Sequence, residues 1–185
     1  MFNTVAASGI APAEWGATVT TVQFCFSKGL GAPVGSILCG PADLIDEARW
    51  RRKVLGGGMR QVGVLAAPAR IALAERDRLA EDNALAAFLA AGLADRFPGA
   101  VDVDTVETNI VLVDEAELPF GAGVLVPALA AEGILLGDLR PGVLRFVTHR
   151  DVDADDVRRV FAGLDRKSTR LNSSHVRTSR MPSSA

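Results

Sequence analysis

Residues 22–35 read VQFCFSKGLGAPVG. Val22, Phe24 and Phe26 alternate with Gln23 and Cys25, a period of two that predicts a strand with at least one buried face. Lys28 follows at the strand's end, and Gly29, Gly31, Pro33 and Gly35 then predict a tight turn. An amine at the walled end of an apolar strand is placed to attack a carbonyl and form a Schiff base. A lysine in a solvated loop is the plainer reading of the same letters, and spacing alone does not choose between the two. No Gly-Lys-Ser/Thr closes the run, which removes the phosphate-binding P-loop.

On either side of this stretch the pattern is that of an α/β protein. Residues 36–40 form a second apolar run, so strand, turn, strand is expected. Upstream, residues 12–15 start a short helix whose Trp15 is expected to pack onto the sheet. Downstream, residues 41–53 read as a helix with Asp43, Asp46 and Glu47 early and Arg49, Arg51, Arg52 and Lys53 late, an order that complements the helix dipole. Gly56, Gly57 and Gly58 then precede a helical run expected to begin at Met59. Open backbone N–H groups there, flanked by Lys53 and Arg60 with Gln61 beside them, would attract a phosphate or a carboxylate; a flexible helix connection is the alternative. Pro68 predicts a kink or break. Residues 76–96 carry Leu79, Ala86, Leu89 and Leu93 on one stripe that continues to Phe97, the core face of a helix.

From Pro98 a small α/β unit is expected: a strand at 109–113, a helix at 121–132, strands at 134–137 and 143–148 pairing across a turn, and a closing helix at 153–164 capped by Asp153. The division therefore falls at residues 97–103. Arg145 alternates with Leu144 and Phe146, so its charge points away from the packed face, next to Asn109 as a candidate neighbour. His149 reads as a structural or surface residue.

The totals bound the function classes. With 185 residues, 49% of them apolar, the chain can build a real core, and a net charge of −2 gives no reason to expect a nucleic-acid or membrane partner. No run approaches the roughly 18 apolar residues that span a bilayer, and residue 1 opens no secretory leader. Cys25 and Cys39 lack metal-ligand spacing and read as reduced core residues of a cytoplasmic protein, so no metal site is expected. Residues 166–185 hold five of the 20 basic residues and none of the 22 acidic ones, the composition of a disordered, non-native tail rather than a nucleic-acid arm.

Two blocks, FCFSKGLGAPVGSILCG and RWRRKVLGGGMRQVGVLAA, followed by TNIVLVD and LRFVTHRDV, resemble the cofactor-lysine region of the threonine aldolases, in the β-eliminating lyase branch of the fold-type I enzymes. The resemblance runs over residues 2–164. It implies a partial fold-type I architecture: residues 1–97 as the end of the large cofactor-binding domain and 98–165 as the small C-terminal α/β domain, followed by the 166–185 tail. It implies pyridoxal 5'-phosphate held by Lys28, a cofactor phosphate of a neighbouring subunit approached by Lys53 and Arg60, and a substrate α-carboxylate held by Arg145 through its planar fork. The partners it implies are a small β-hydroxy-α-amino acid and further copies of the chain, as a dimer or tetramer. The reaction it implies is retro-aldol cleavage of L-threonine or L-allo-threonine to glycine and acetaldehyde. The family's ring-nitrogen aspartate, the arginine beside it, the stacking histidine and the main phosphate loop correspond to positions ahead of Phe2, so the chain is expected to be a C-terminal portion. Another fold-type I lyase or transaminase, or an inactive fragment serving as an interaction surface, are the competing readings.

Overall fold

A computed structural model of the chain describes residues 1–178. The chain forms two compact units, Met1–Asn83 and Ala84–Ala185. In the first, α1 (Phe2–Ser8) and α2 (Pro12–Ala17) lead into β1 (Val22–Cys25) and β2 (Ser36–Cys39), followed by α3 (Ala42–Val54) and α4 (Gly63–Ala74). The strands pair antiparallel, with Val22 opposite Cys39 and Phe24 opposite Ile37. The alternation in β1 selects the packed face: Phe24 meets Phe2 and Phe26 edge-on at centroid distances of 5.0 and 5.3 Å, pairs worth about 0.5–1.5 kcal/mol each beyond their burial. Leu30 and Ala32 from the turn, Ala69 and Ala72 from α4, and Leu79 complete this small core.

Several local expectations change here. Cys25 and Cys39 are exposed free thiols and not core residues, because a lone strand pair leaves much of its surface open. Trp15 is also exposed. α4 begins at Gly63, after the residues expected to start it, and runs through Pro68 without a break. Pro68 deprives only the Val64 carbonyl of its helical donor, and Val64 is exposed to water that can replace it.

The first five residues of α5 (Leu79–Arg96) belong to the first unit; the second is built on the rest of that helix, β3 (Ile110–Asp114), α6 (Ala122–Ala130), β4 (Gly137–Arg140), β5 (Val143–Val147) and α7 (Ala154–Thr178). Its antiparallel sheet runs in the order β3-β5-β4, with a register shift between Asp138 and Arg140. Val111 and Val113 of β3 and Leu144 and Phe146 of β5 turn one face of the sheet into a core shared with α5, α6 and α7. The stripe on α5 is buried as its spacing predicts, with Leu89 and Leu93 among its most enclosed residues. That stripe belongs to the second core from Ala86 onward, so the units divide at Asn83 and Ala84, ahead of the expected boundary at 97–103.

Asp153 caps α7: its carboxylate accepts the amides of Asp155 and Asp156 at 2.8 and 3.0 Å, and Asp156 returns a bond to the Asp153 amide. The helix then continues to Thr178, past the residue 164 end that its apolar stripe suggests. Extending a formed helix adds one hydrogen bond per residue with no new nucleation, so 166–178 are helical where composition predicted disorder. The remainder of the expected tail, 179–185, lies outside the described residues.

Gly92 marks the closest approach of α5 to α7. A Cβ there would stand 2.2 Å from Cζ of Phe161, a buried ring held edge-on by Phe88 and covered by Arg96. Gly92→Ala is therefore expected to destabilise by about 1–3 kcal/mol through overpacking, read as a lower denaturant midpoint at unchanged slope. An unshifted midpoint would mean that α7 yields freely.

Candidate functional site

Lys28 sits where β1 gives way to a turn. Phe26 closes the loop by donating its amide to Gly35 at 2.9 Å and accepting from Ala32 at 2.9 Å. Inside it, the Gly31 amide donates to the Lys28 carbonyl at 2.8 Å, a four-residue turn ending on Gly31 at φ 81°. This closure drives Leu30 and Ala32 into the core and leaves the Lys28 side chain exposed. The walled, desolvated setting expected for Lys28 is thus not supplied by these residues. Lys28 instead borders an open cavity of about 280 Å³ shared with Phe2, Phe24, Leu30 and Leu79. Among the described residues it has no ion-pair partner, so its amine is free to react or to be bound.

Behind the turn is a set of contacts that sequence reading missed. Arg78 donates to both carboxylate oxygens of Asp82 at 3.2 Å and, through its other terminal nitrogen, to the Gly29 carbonyl at 2.5 Å. Asn3 and Asn83 hold each other through two bonds of 3.1 and 2.9 Å, and a Cβ on Gly29 would come 2.8 Å from the Asn3 side chain. Glycine at 29 is therefore a close-approach requirement. No local motif could flag Arg78, because its contact with Gly29 spans 49 residues of chain.

The glycine triplet serves a different purpose from the one expected. The Gly57 amide donates to the Arg52 carbonyl at 2.8 Å and the Gly56 amide to the Lys53 carbonyl at 3.1 Å, with Gly56 at φ 77°: a Schellman stop to α3. Two of the amides expected to await an anion are thus already committed, and the triplet is separated from α4 by residues 59–62. Lys53 folds over Gly58, and both Lys53 and Arg60 are exposed. Gln61 holds a left-handed φ of 51°, a conformation that costs a non-glycine residue about 1–3 kcal/mol. Neither Lys53 nor Arg60 lines the cavity beside Lys28.

Arg145 occupies the middle strand of the second unit's sheet, opposite Leu112 on β3 and Gly137 on β4. It lies on the exposed face, as its alternation with buried Leu144 and Phe146 predicts, and it has no ion-pair partner among the described residues. The open site at Gly137 leaves room beside its guanidinium, since a Cβ there would be 4.0 Å from Nη2. Asn109 does not face it as a free neighbour: the Asn109 amide binds the Thr148 carbonyl at 2.8 Å and ties β3 to the end of β5. His149 is a surface residue whose Nδ1 accepts the Asp151 amide. Among the described residues no helix is long and apolar enough to cross a membrane.

Residues 1–117 match the beta-eliminating lyase family. The chain is 40% identical over 159 residues to low-specificity L-threonine aldolase 1 of Arabidopsis thaliana, covering 85% of this chain and 44% of that protein. It is also 40% identical over 164 residues to the low specificity L-threonine aldolase of Escherichia coli (strain K12), covering 88% and 47%. The chain thus spans about half the length of the curated relatives it matches. Among solved structures it resembles Sphingomonas wittichii serine palmitoyltransferase, with a TM-score of 0.64 at 19% identity, covering 87% of this chain and 42% of that one. It likewise resembles N-acetylornithine aminotransferase from Stenotrophomonas maltophilia K279a, with a TM-score of 0.58 at 22% identity, covering 88% and 43%. The mixed α/β fold is therefore part of the fold-type I pyridoxal-phosphate architecture. With its first 117 residues matched and most of its length aligned to curated aldolases, the chain belongs to the beta-eliminating lyase family.

Proposed function

We propose that the chain is the cofactor-lysine half of a pyridoxal 5'-phosphate-dependent aldehyde-lyase that cleaves L-threonine and L-allo-threonine to glycine and acetaldehyde. The observation that carries this reading is the placement of Lys28: a primary amine with no ion-pair partner among the described residues, on a hydrogen-bonded turn bordering a cavity, in a chain that is 40% identical to threonine aldolases. The donor set fits the group, since an aldehyde cofactor needs a free amine and its phosphate needs cations without carboxylate partners. Lys28 supplies the first; Lys53 and Arg60 are assigned to the second, at the phosphate of a neighbouring subunit. Trp50, Val54, Leu55 and Met59, close to these two cations in the chain, are all exposed and support a protein-covered setting, in keeping with a cytoplasmic dimer or tetramer.

When bound, the cofactor supplies an electron sink for the pair released as Cα–Cβ breaks. Arg145 is assigned to the amino acid's α-carboxylate: a planar guanidinium fork on a rigid middle strand can hold it bidentately and so fix which bond at Cα is aligned for cleavage. The balance is simple: the β-hydroxyl loses its proton to a base, the aldehyde leaves, and Cα takes a proton to give glycine. Mixing the chain with pyridoxal phosphate and L-threonine and assaying glycine and acetaldehyde tests the reaction; pyruvate or a keto acid instead would assign it to another fold-type I chemistry.

Arg145 has its own expected outcome. In the chain loaded with pyridoxal phosphate, Arg145→Lys should raise the glycine concentration for half-maximal change in cofactor absorbance about tenfold or more, because a charged hydrogen bond of about 1.5–3 kcal/mol is lost with the fork. An unchanged midpoint would remove Arg145 from the carboxylate site.

A further inference from the structure

We infer that Arg78 is a positioning residue for Lys28, acting as a clamp on the Gly29 carbonyl. The inference rests on the reading of Lys28 as the cofactor lysine. Arg78 lies on the short 3-10 turn Arg76–Arg78 just ahead of α5, and its side chain is 17% exposed against 6% for Asp82. As a helix-stabilising pair the two are the wrong way round, with the cation N-terminal to the anion at the positive end of a helix. A half-buried arginine in that arrangement needs another purpose, and its third bond names it: Nη2 reaches back to the carbonyl of the residue that follows Lys28.

The geometry uses what only arginine has. One terminal nitrogen is committed to the carboxylate of Asp82, a buried anchor, and the other is left pointing at Gly29. Leu79 and Asn3 crowd Gly29 from other directions, so the peptide after Lys28 is fixed on several sides while the lysine side chain remains exposed. The exposed amine has no partner of its own among the described residues, so the backbone that carries it must provide its precision. Arg78 acts through Lys28 and has no contact with the cofactor in this assignment.

The test uses the full chain and three variants: Arg78→Lys, which can pair with Asp82 but lacks the second arm; Arg78→Met; and the double change Arg78→Met with Asp82→Leu, which removes both charges of the pair together. Hydrogen exchange is followed at the Gly31 amide, bonded to the Lys28 carbonyl, with the Phe24 amide in β1 as an internal reference. The expected result is about tenfold faster exchange at Gly31 in folded variants with Phe24 unchanged. A fall of about tenfold or more in borohydride-fixed pyridoxyl label at Lys28 should accompany it. Unchanged exchange at Gly31, or equal acceleration at both amides, overturns the clamp. So does retention of full labelling alongside faster Gly31 exchange, since the turn would then not position the amine. Should the variants fail to fold, the unmutated chain decides by NMR: a scalar coupling between an Arg78 Nη and the Gly29 carbonyl carbon is expected, and its absence overturns the assignment. Missing label in the unmutated chain instead overturns the cofactor reading, leaving exchange and coupling to judge the contact by itself.

Discussion

Lys28→Ala is expected to reduce borohydride-fixed pyridoxyl label to the level found scattered on other lysines, the largest functional effect of any single change in the chain. The chain has three lysines, Lys28, Lys53 and Lys167, so peptide mass mapping separates them cleanly. Among the described residues, Lys28 combines an open cavity with a hydrogen-bonded turn that holds its backbone. Lys53 lies in the last turn of α3 with its side chain laid along Gly58, and its assigned role is ionic rather than covalent. The loss should not come from unfolding. Lys28 is exposed and without an ion-pair partner among the described residues, and such surface replacements usually stay within about ±0.5 kcal/mol. The thermal midpoint should therefore be unchanged while the label disappears. Equal label on Lys53 in the parent and the variant would sink the assignment of Lys28, whatever the family resemblance.

The largest stability effect is expected at Leu129. This residue of α6 is 0% exposed, one turn from Leu125 at 1%, and it meets α7 at Gly163, where a Cβ would come 2.9 Å from its Cδ2. Leu129→Ala removes the side chain that fills this contact. The gap cannot be closed from the Gly163 side, because that residue has no side chain to move inward. The cost should then approach the upper part of the range for buried leucines, about 3–5 kcal/mol, lost transfer free energy together with an unfilled cavity. For a domain whose total stability is on the order of 5–15 kcal/mol this is a large fraction. Urea titration followed by circular dichroism should show a much lower midpoint; a shift of under about 1 kcal/mol would mean that α6 and α7 collapse onto one another.

Lys28 is legible as a candidate from its position after an alternating strand and before a glycine turn, and the same alternation identifies the packed face of β1 and the exposed side of Arg145. The stripe along α5 and the Asp153 cap are equally legible, because each depends on residues within one or two turns of chain. Other local patterns support more than one reading, and the sequence does not choose between them. The glycine triplet reads locally as open amides ahead of a helix, yet Gly56 and Gly57 are spent on stopping α3, and the choice depends on where that helix ends in three dimensions. Cys25 and Cys39 read as core residues because their neighbours are apolar, yet a run of apolar letters does not say whether a second layer covers both faces.

By itself the sequence determined the periodicities, the turn and cap chemistry, and the amine at the strand's end, since these follow from the steric and hydrogen-bonding preferences of adjacent residues. Only the tertiary structure decided that Lys28 stands exposed at a cavity, that Gly29 is held by Arg78 and crowded by Asn3, and that Gly92 must have no side chain because Phe161 fills its place. Those outcomes depend on which surfaces meet after the chain has closed loops of tens of residues, and packing at that range is set by shape and volume rather than by any local pattern of residue types.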